Sequence, residues 1–83
     1  MDAKGAAEVT RVKDLLKTVV RVAGMSHREM ERKLGQSPGY LSRLFAGAIE
    51  LKLRHIIEIL SLIDVEPAEF FQLAYPRQPG ATT

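Results

Sequence analysis

Cysteine and tryptophan are absent from this 83-residue chain. Without cysteine the chain can form neither disulfides nor thiolate metal sites, so a packed core has to stabilise it. No apolar run approaches the roughly 20 residues that span a bilayer, and the N-terminus lacks the basic and apolar pattern of a secretion signal. We therefore expect a soluble, cytoplasmic protein that does not bind membranes.

The composition is that of one small globular domain. Hydrophobic residues make up 46% of the chain and charged residues 27%, which permits a packed core and a solvated surface. We predict a single domain over residues 6–75, preceded by a flexible N-terminus over residues 1–5. Residues 76–83 contain two prolines, a glycine and no large apolar side chain, so we predict a disordered tail there.

Charge is unevenly distributed, although the formal net charge is only +2. Residues 1–63 carry eleven Lys and Arg against seven Asp and Glu, whereas residues 64–83 carry one Arg against three acidic residues. A basic region is typical of a surface that binds nucleic acid, but solvated helix faces also collect charge. Charge alone leaves both interpretations open.

Helical spacing dominates the chain, and no strand pattern rises above it. Apolar residues recur every three or four positions from Ala6 to Ala23, and a glycine follows that is suited to end a helix. Similar spacing predicts a fourth helix from Leu51 to Ile63 and a short fifth helix from Pro67 to about Ala74. In the fourth helix we expect these residues to be buried: Leu53, Ile56, Ile57, Leu60 and Ile63. The predicted fold class is all-α, with five helices.

Two short helices separated by a glycine turn are predicted over residues 26–45, which read SHREMERKLGQSPGYLSRLF. Ser26 and Glu29 have the spacing of a capping box, which predicts the start of the second helix. Ser37 as N-cap and Pro38 as the first helical residue predict the start of the third. This arrangement is typical of a helix-turn-helix unit that offers its second helix to a DNA groove.

The pattern resembles the Xre-type helix-turn-helix family, the fold of lambda-like phage repressors and Cro proteins. The resemblance extends from about Val12 to Phe71 and depends on the joint spacing of Ser26, Met30, Leu34, Gly35, Ser37, Leu41, Ser42, Leu44, Gly47, Leu53, Ile56, Ile63, Val65 and Phe70. It implies a compact five-helix lambda-repressor-like bundle that binds double-stranded DNA as a homodimer, inside a bacterium or as a phage protein.

The resemblance also implies which residues meet DNA bases. Helix three of the family lies in the major groove, and the matching base-facing positions are Pro38, Gly39, Ser42 and Arg43. Pro38 and Gly39 offer no side-chain hydrogen bond, so direct readout depends on Arg43, whose guanidinium matches the two acceptors of guanine. The alternative for Arg43 is an ordinary exposed arginine.

Phosphate contacts are predicted for six residues around these positions: His27, Arg28, Ser37, Tyr40, Lys52 and Arg54. His27 stands where the family usually has a glutamine at the start of helix two, and a helix N-terminus favours an anion. The alternative for His27, Lys52 and Arg54 is simple solvation. The second histidine, His55, is expected to be structural.

Two further features concern packing and assembly. Glu31 stands where the family generally has a small alanine, so its carboxylate needs a partner, either Arg28 or a group on helix three. Helix five has more apolar residues than a short helix can easily bury, and helix one begins with an apolar stripe. We predict a dimer interface that includes Val9, Phe71, Leu73 and Tyr75.

Together these features predict a sequence-specific transcriptional regulator of double-stranded DNA, a repressor that inserts residues 38–45 in the major groove as a homodimer. The alternative is a protein-interaction module of the same fold, antitoxin-like or a co-regulator, with weak or no DNA binding. Glu31, Gly39 and the low net charge favour that alternative. No recognisable nucleophile or metal-ligand set is present, so no enzymatic activity, metal or cofactor is expected.

Overall fold

The structure is a computed structural model that describes residues 2–76. It contains five helices: α1 (Ala3–Ala23), α2 (His27–Leu34), α3 (Tyr40–Ala46), α4 (Leu53–Leu62) and α5 (Pro67–Ala74). The predicted all-α, five-helix fold is confirmed, since no strand occurs among these residues. None of the described helices is long and apolar enough to cross a membrane.

Helix α1 begins at Ala3, three residues earlier than the sequence pattern predicted. Asp2 is the N-cap, and its Oδ1 accepts a hydrogen bond from the Gly5 amide at 2.7 Å. This cap satisfies an amide that the helix itself leaves unpaired, so residues 3–5, predicted to be flexible, are helical. The predicted tail over residues 76–83 lies outside the described residues except for Pro76.

The core lies between all five helices. Helix α1 packs against α3 and α5, and α2 packs against α3 and α4. Each helix contributes at least one fully buried large side chain: Leu16, Val20, Met30, Leu41, Leu44, Ile59, Leu60 and Phe70. Burying one such side chain contributes about 1.5–3 kcal/mol, so Met30, Leu41 and Leu44 anchor α2 and α3 firmly to the rest of the protein.

Helix α4 buries a different face from the one predicted. Ile56, Ile59 and Leu60 are buried, whereas Leu53 is 64% exposed and Ile57 is 40% exposed. Leu53 and Ile57 are four residues apart and therefore lie on one side of the helix, away from the buried side that includes Ile59. The prediction that Leu53 and Ile57 are buried was wrong, and the protein presents apolar surface there.

Candidate nucleic-acid interface

Helix α2 starts as the sequence predicted and ends at a left-handed glycine. Ser26 is its N-cap, and the Ser26 hydroxyl accepts a hydrogen bond from the Glu29 amide at 3.1 Å. The carboxylate of Glu29 lies 3.6 Å from Lys33 Nζ, so it forms an ion pair along the helix instead of completing the capping box. His27 is consequently the first residue of α2 and is exposed.

The segment before α3 is a turn, not the first turn of the helix. Gly39 has φ 89° and ψ −4°, and the Tyr40 amide donates to the Ser37 carbonyl at 3.2 Å. These values are typical of a type II turn with Pro38 and Gly39 at its centre. The prediction that Ser37 caps α3 and that Pro38 opens it was therefore wrong, because a proline followed by a glycine favours this turn.

Glu31 supplies the cap that Ser37 does not. Its side chain is 3% exposed, and its two carboxylate oxygens accept hydrogen bonds from the Gly39 amide at 3.3 Å and the Leu41 amide at 2.9 Å. A carboxylate at a helix N-terminus is stabilised by the unpaired amides and by the helix dipole. Of the two partners considered for Glu31, the group on the third helix is thus the one it contacts.

The predicted base-facing residues lie in the turn before α3 and in the first half of that helix. Ser42 and Arg43 are exposed, and Pro38 and Gly39 precede them in the turn. Arg43 folds back over this turn: its Nη2 lies 3.5 Å from Ser37 Oγ, and a Cβ atom added to Gly39 would lie 3.1 Å from its Nη1. The space that a side chain would fill at Gly39 is therefore occupied by the guanidinium of Arg43.

The start of α2 and the middle of α3 line one shallow cavity of about 260 Å³. Its lining includes His27, Ser42 and Ala46, and also Lys17 from α1. The ring of His27 lies 6.1 Å from that of Phe45, which places the histidine at the edge of α3. Arg21 joins Lys17 and His27 in the neighbouring cavity. Lys17 and Arg21 were missed as candidate contacts, although the sequence places them on the polar face of α1.

The other predicted phosphate contacts differ in their surroundings. Arg28, Ser37, Lys52 and Arg54 are exposed, and Arg54 Nη1 lies 3.9 Å from the Glu58 carboxylate. Tyr40 is only 7% exposed and belongs to the core, where its ring packs edge-on against His55 with 6.3 Å between centroids. Burial raises the pKa of Tyr40. Its burial speaks against the predicted role of Tyr40 as a surface phosphate contact.

His55 is structural in position, as the sequence predicted. It is 4% exposed, and its Nδ1 accepts a hydrogen bond from the Lys52 amide at 2.9 Å, which caps the start of α4. Burial and, secondarily, the nearby Arg54 lower the pKa of His55. The neutral ring can accept this hydrogen bond and the protonated ring cannot. His55 thereby fixes the segment that carries Lys52 and Arg54.

Three of the four residues predicted for a dimer interface meet at one cavity beside α1 and α5. Val9, Phe71 and Tyr75 line an open cavity of about 240 Å³ together with Leu51, Leu53, Val12, Ile56 and Glu8. Leu73 is 62% exposed but is not part of this lining. We call the cavity the apolar groove. Leu53 was not predicted to belong to this surface, because helical periodicity assigned it to the core.

A polar cluster lies at one end of the apolar groove. Arg11 donates to the Ala74 carbonyl at 3.4 Å, lies 3.6 Å from Glu8, and places its guanidinium carbon 5.6 Å from the centre of the Tyr75 ring. The neighbouring Glu8 side chain raises the pKa of Tyr75. These contacts tie the end of α5 to α1 and so fix the shape of the groove.

Comparison with known proteins assigns the family. A family described as helix-turn-helix, that of the Xre and lambda-repressor-like domains, matches residues 20–70, which is more than half of the chain. No curated protein and no solved structure gives a significant match. Within residues 2–76, no three His, Asp or Glu side chains lie together in a way that could hold a metal ion. The chain belongs to the Xre and lambda-repressor-like helix-turn-helix family and is a DNA-binding regulator.

Proposed function

We propose that the protein is a sequence-specific regulator that inserts α3 into the major groove of double-stranded DNA and acts as a repressor. The observation that carries this proposal is the position of Arg43. Pro38 and Gly39 provide no side-chain donor where the family reads its first bases. The guanidinium of Arg43 lies over Gly39 and supplies donors at that place.

Arg43 is also free to adjust to a base. Its bond to Ser37 Oγ is long, at 3.5 Å, so exchanging it for a contact with DNA loses little free energy. Two parallel hydrogen bonds to guanine discriminate against the wrong base by about 1–3 kcal/mol. The proposed reading surface therefore depends on one strong side chain, with Ser42 beside it and apolar contact from Pro38.

Phosphate contacts on both sides of α3 would hold this surface in place. His27, Lys17 and Arg21 lie together near the start of α2. Lys52 and Arg54 lie at the start of α4, which His55 caps. Contacts of this kind fix the orientation on the duplex but are independent of sequence.

A homodimer would double the number of base contacts, and the apolar groove is the surface we assign to it. Its lining of Val9, Leu53, Phe71 and Tyr75 presents apolar side chains that a second copy can cover. A two-fold symmetric dimer would place the same groove on both copies and two α3 helices on one side of the duplex. Stable occupation of two half-sites would exclude other proteins from the DNA, which is the basis of the proposed repression.

Selection of bound duplexes from a random DNA pool tests this proposal directly. We expect an enriched inverted repeat with guanine at a fixed position in each half, because two copies of Arg43 would read symmetric half-sites. Arg43→Ala should then weaken binding to the selected site by about 10-fold or more and binding to random duplex much less. A pool without enrichment, or equal losses on both DNAs, would contradict sequence-specific reading by Arg43. Complete absence of duplex binding at low salt would instead favour a protein-interaction module.

A further inference from the structure

An open cavity of about 440 Å³ lies beside the helix-turn-helix turn, on the outer side of α2. It is lined by Arg28, Glu29, Glu31, Arg32, Gln36 and Pro38, and we call it the arginine groove. Arg28 and Arg32 are four residues apart on α2, so their side chains extend from the same side of the helix. Both are exposed, and Pro38 connects the groove to the turn that leads into α3.

Both acidic residues of the groove lining already have partners within the protein. Glu29 pairs with Lys33, and both oxygens of Glu31 are held by amides at the start of α3. Within residues 2–76, neither Arg28 nor Arg32 forms an ion pair. The two guanidinium groups are therefore available to an external anion, although two carboxylates line the same groove.

We propose that the arginine groove binds a phosphate of the DNA backbone and extends the contact surface beyond the start of α2. This inference rests on the proposed insertion of α3 into DNA. Guanidinium groups bind phosphate with two parallel hydrogen bonds, and the amide of Gln36 adds a further donor. Because Pro38 lines the groove and leads into α3, a duplex that accepts α3 would bring its backbone close to the groove.

Arg32→Ala tests this inference, with Lys4→Ala as a control that removes one exposed positive charge from the start of α1. Binding to labelled duplex DNA is measured by fluorescence anisotropy at several salt concentrations. We expect Arg32→Ala to lower the slope of log affinity against log salt by about 0.9 and to weaken selected and random duplexes by the same factor. Lys4→Ala should retain the slope of the unaltered protein.

A second measurement locates the contact. In phosphate ethylation interference, ethylation of certain phosphates should weaken binding by the unaltered protein and by Lys4→Ala. Ethylation of the same phosphates should no longer affect binding by Arg32→Ala. Thermal unfolding confirms that the exposed substitution leaves the fold intact. If the unaltered protein binds duplex DNA but Arg32→Ala keeps its salt slope and interference pattern, the arginine groove does not bind the backbone. If the unaltered protein does not bind duplex DNA even at low salt, the proposed function itself fails.

Discussion

Replacing Glu31 by alanine should destabilise the protein far more than replacing any exposed glutamate. The carboxylate is 3% exposed and is the only side chain that caps α3 among the described residues. Removing it leaves the amides of Gly39 and Leu41 without their acceptor. Neither neighbouring turn residue can substitute, because Pro38 has no acceptor side chain and Ser37 points toward Arg43.

The size of the effect follows from the two hydrogen bonds. The bond to Leu41 is buried and short, at 2.9 Å, and an unsatisfied buried amide costs about 1–3 kcal/mol. The bond to Gly39 is longer, at 3.3 Å, and partly exposed, so it contributes about 0.5–1 kcal/mol. We expect Glu31→Ala to lower the free energy of unfolding by about 1.5–4 kcal/mol, a large share of the total for a domain of this length.

Urea unfolding followed by circular dichroism measures this loss. Glu31→Gln keeps one acceptor oxygen but no charge, so it should lose about half as much as Glu31→Ala. Glu58→Ala is the matched control, because Glu58 is half exposed and lies 3.9 Å from Arg54 in an exposed ion pair. A loss below about 0.5 kcal/mol for Glu31→Ala, equal to that of the control, would refute the capping role.

Three further predictions concern the other parts of the structure. Lowering the pH below about 6.5 should lower the free energy of unfolding, because the unfolded chain takes up a proton on His55 before the folded protein does. In urea titrations between pH 5 and 7.5, His55→Phe should be less stable at pH 7.5, and its stability should change less with pH. If the stability of His55→Phe changes with pH as much as that of the unaltered protein, His55 is not the source of the dependence. Leu53→Ser should dissociate the proposed dimer in sedimentation equilibrium, whereas Leu73→Ser, which is equally exposed but outside the apolar groove, should not. The reverse result would move the proposed interface to Leu73. Gly39→Ala and Gly24→Ala should each lower the free energy of unfolding by about 1–2 kcal/mol, because both glycines have positive φ. Only Gly39→Ala should displace Arg43 and thereby weaken binding to selected DNA. Equal binding by the two variants would show that DNA binding by Arg43 does not depend on the turn.

The five helices could be predicted from the sequence because most of their ends carry the expected capping residues. Ser26 caps α2, and the glycine after α1 adopts the left-handed conformation that its position predicted. The start of α3 was mispredicted because two local rules compete there. Ser37 and Pro38 fit a helix start, whereas Pro38 and Gly39 fit a type II turn, and the buried carboxylate of Glu31 satisfies the amides of the turn and of α3 together.

The candidate site was predictable in outline and not in its contacts. The family resemblance predicted that Arg43 faces outward, but it could not show that the side chain folds back over Gly39. Lys17 is separated from His27 by ten residues of sequence, and only the packing of α1 against α3 brings both to the cavity beside Ser42. Leu53 was misplaced because periodicity identifies the apolar side of a helix without showing how much of it the other helices cover.

The cap on α3 also determines how this protein can hold DNA. An uncapped helix N-terminus is a ready site for phosphate, but here Glu31 already occupies the amides of Gly39 and Leu41. The start of α3 therefore cannot bind the backbone through those amides. In the proposed complex, backbone contacts would come instead from flanking cations such as Arg32 and Lys17. The start of α3 would then be left to the guanidinium of Arg43, so that base reading and phosphate binding would depend on different residues.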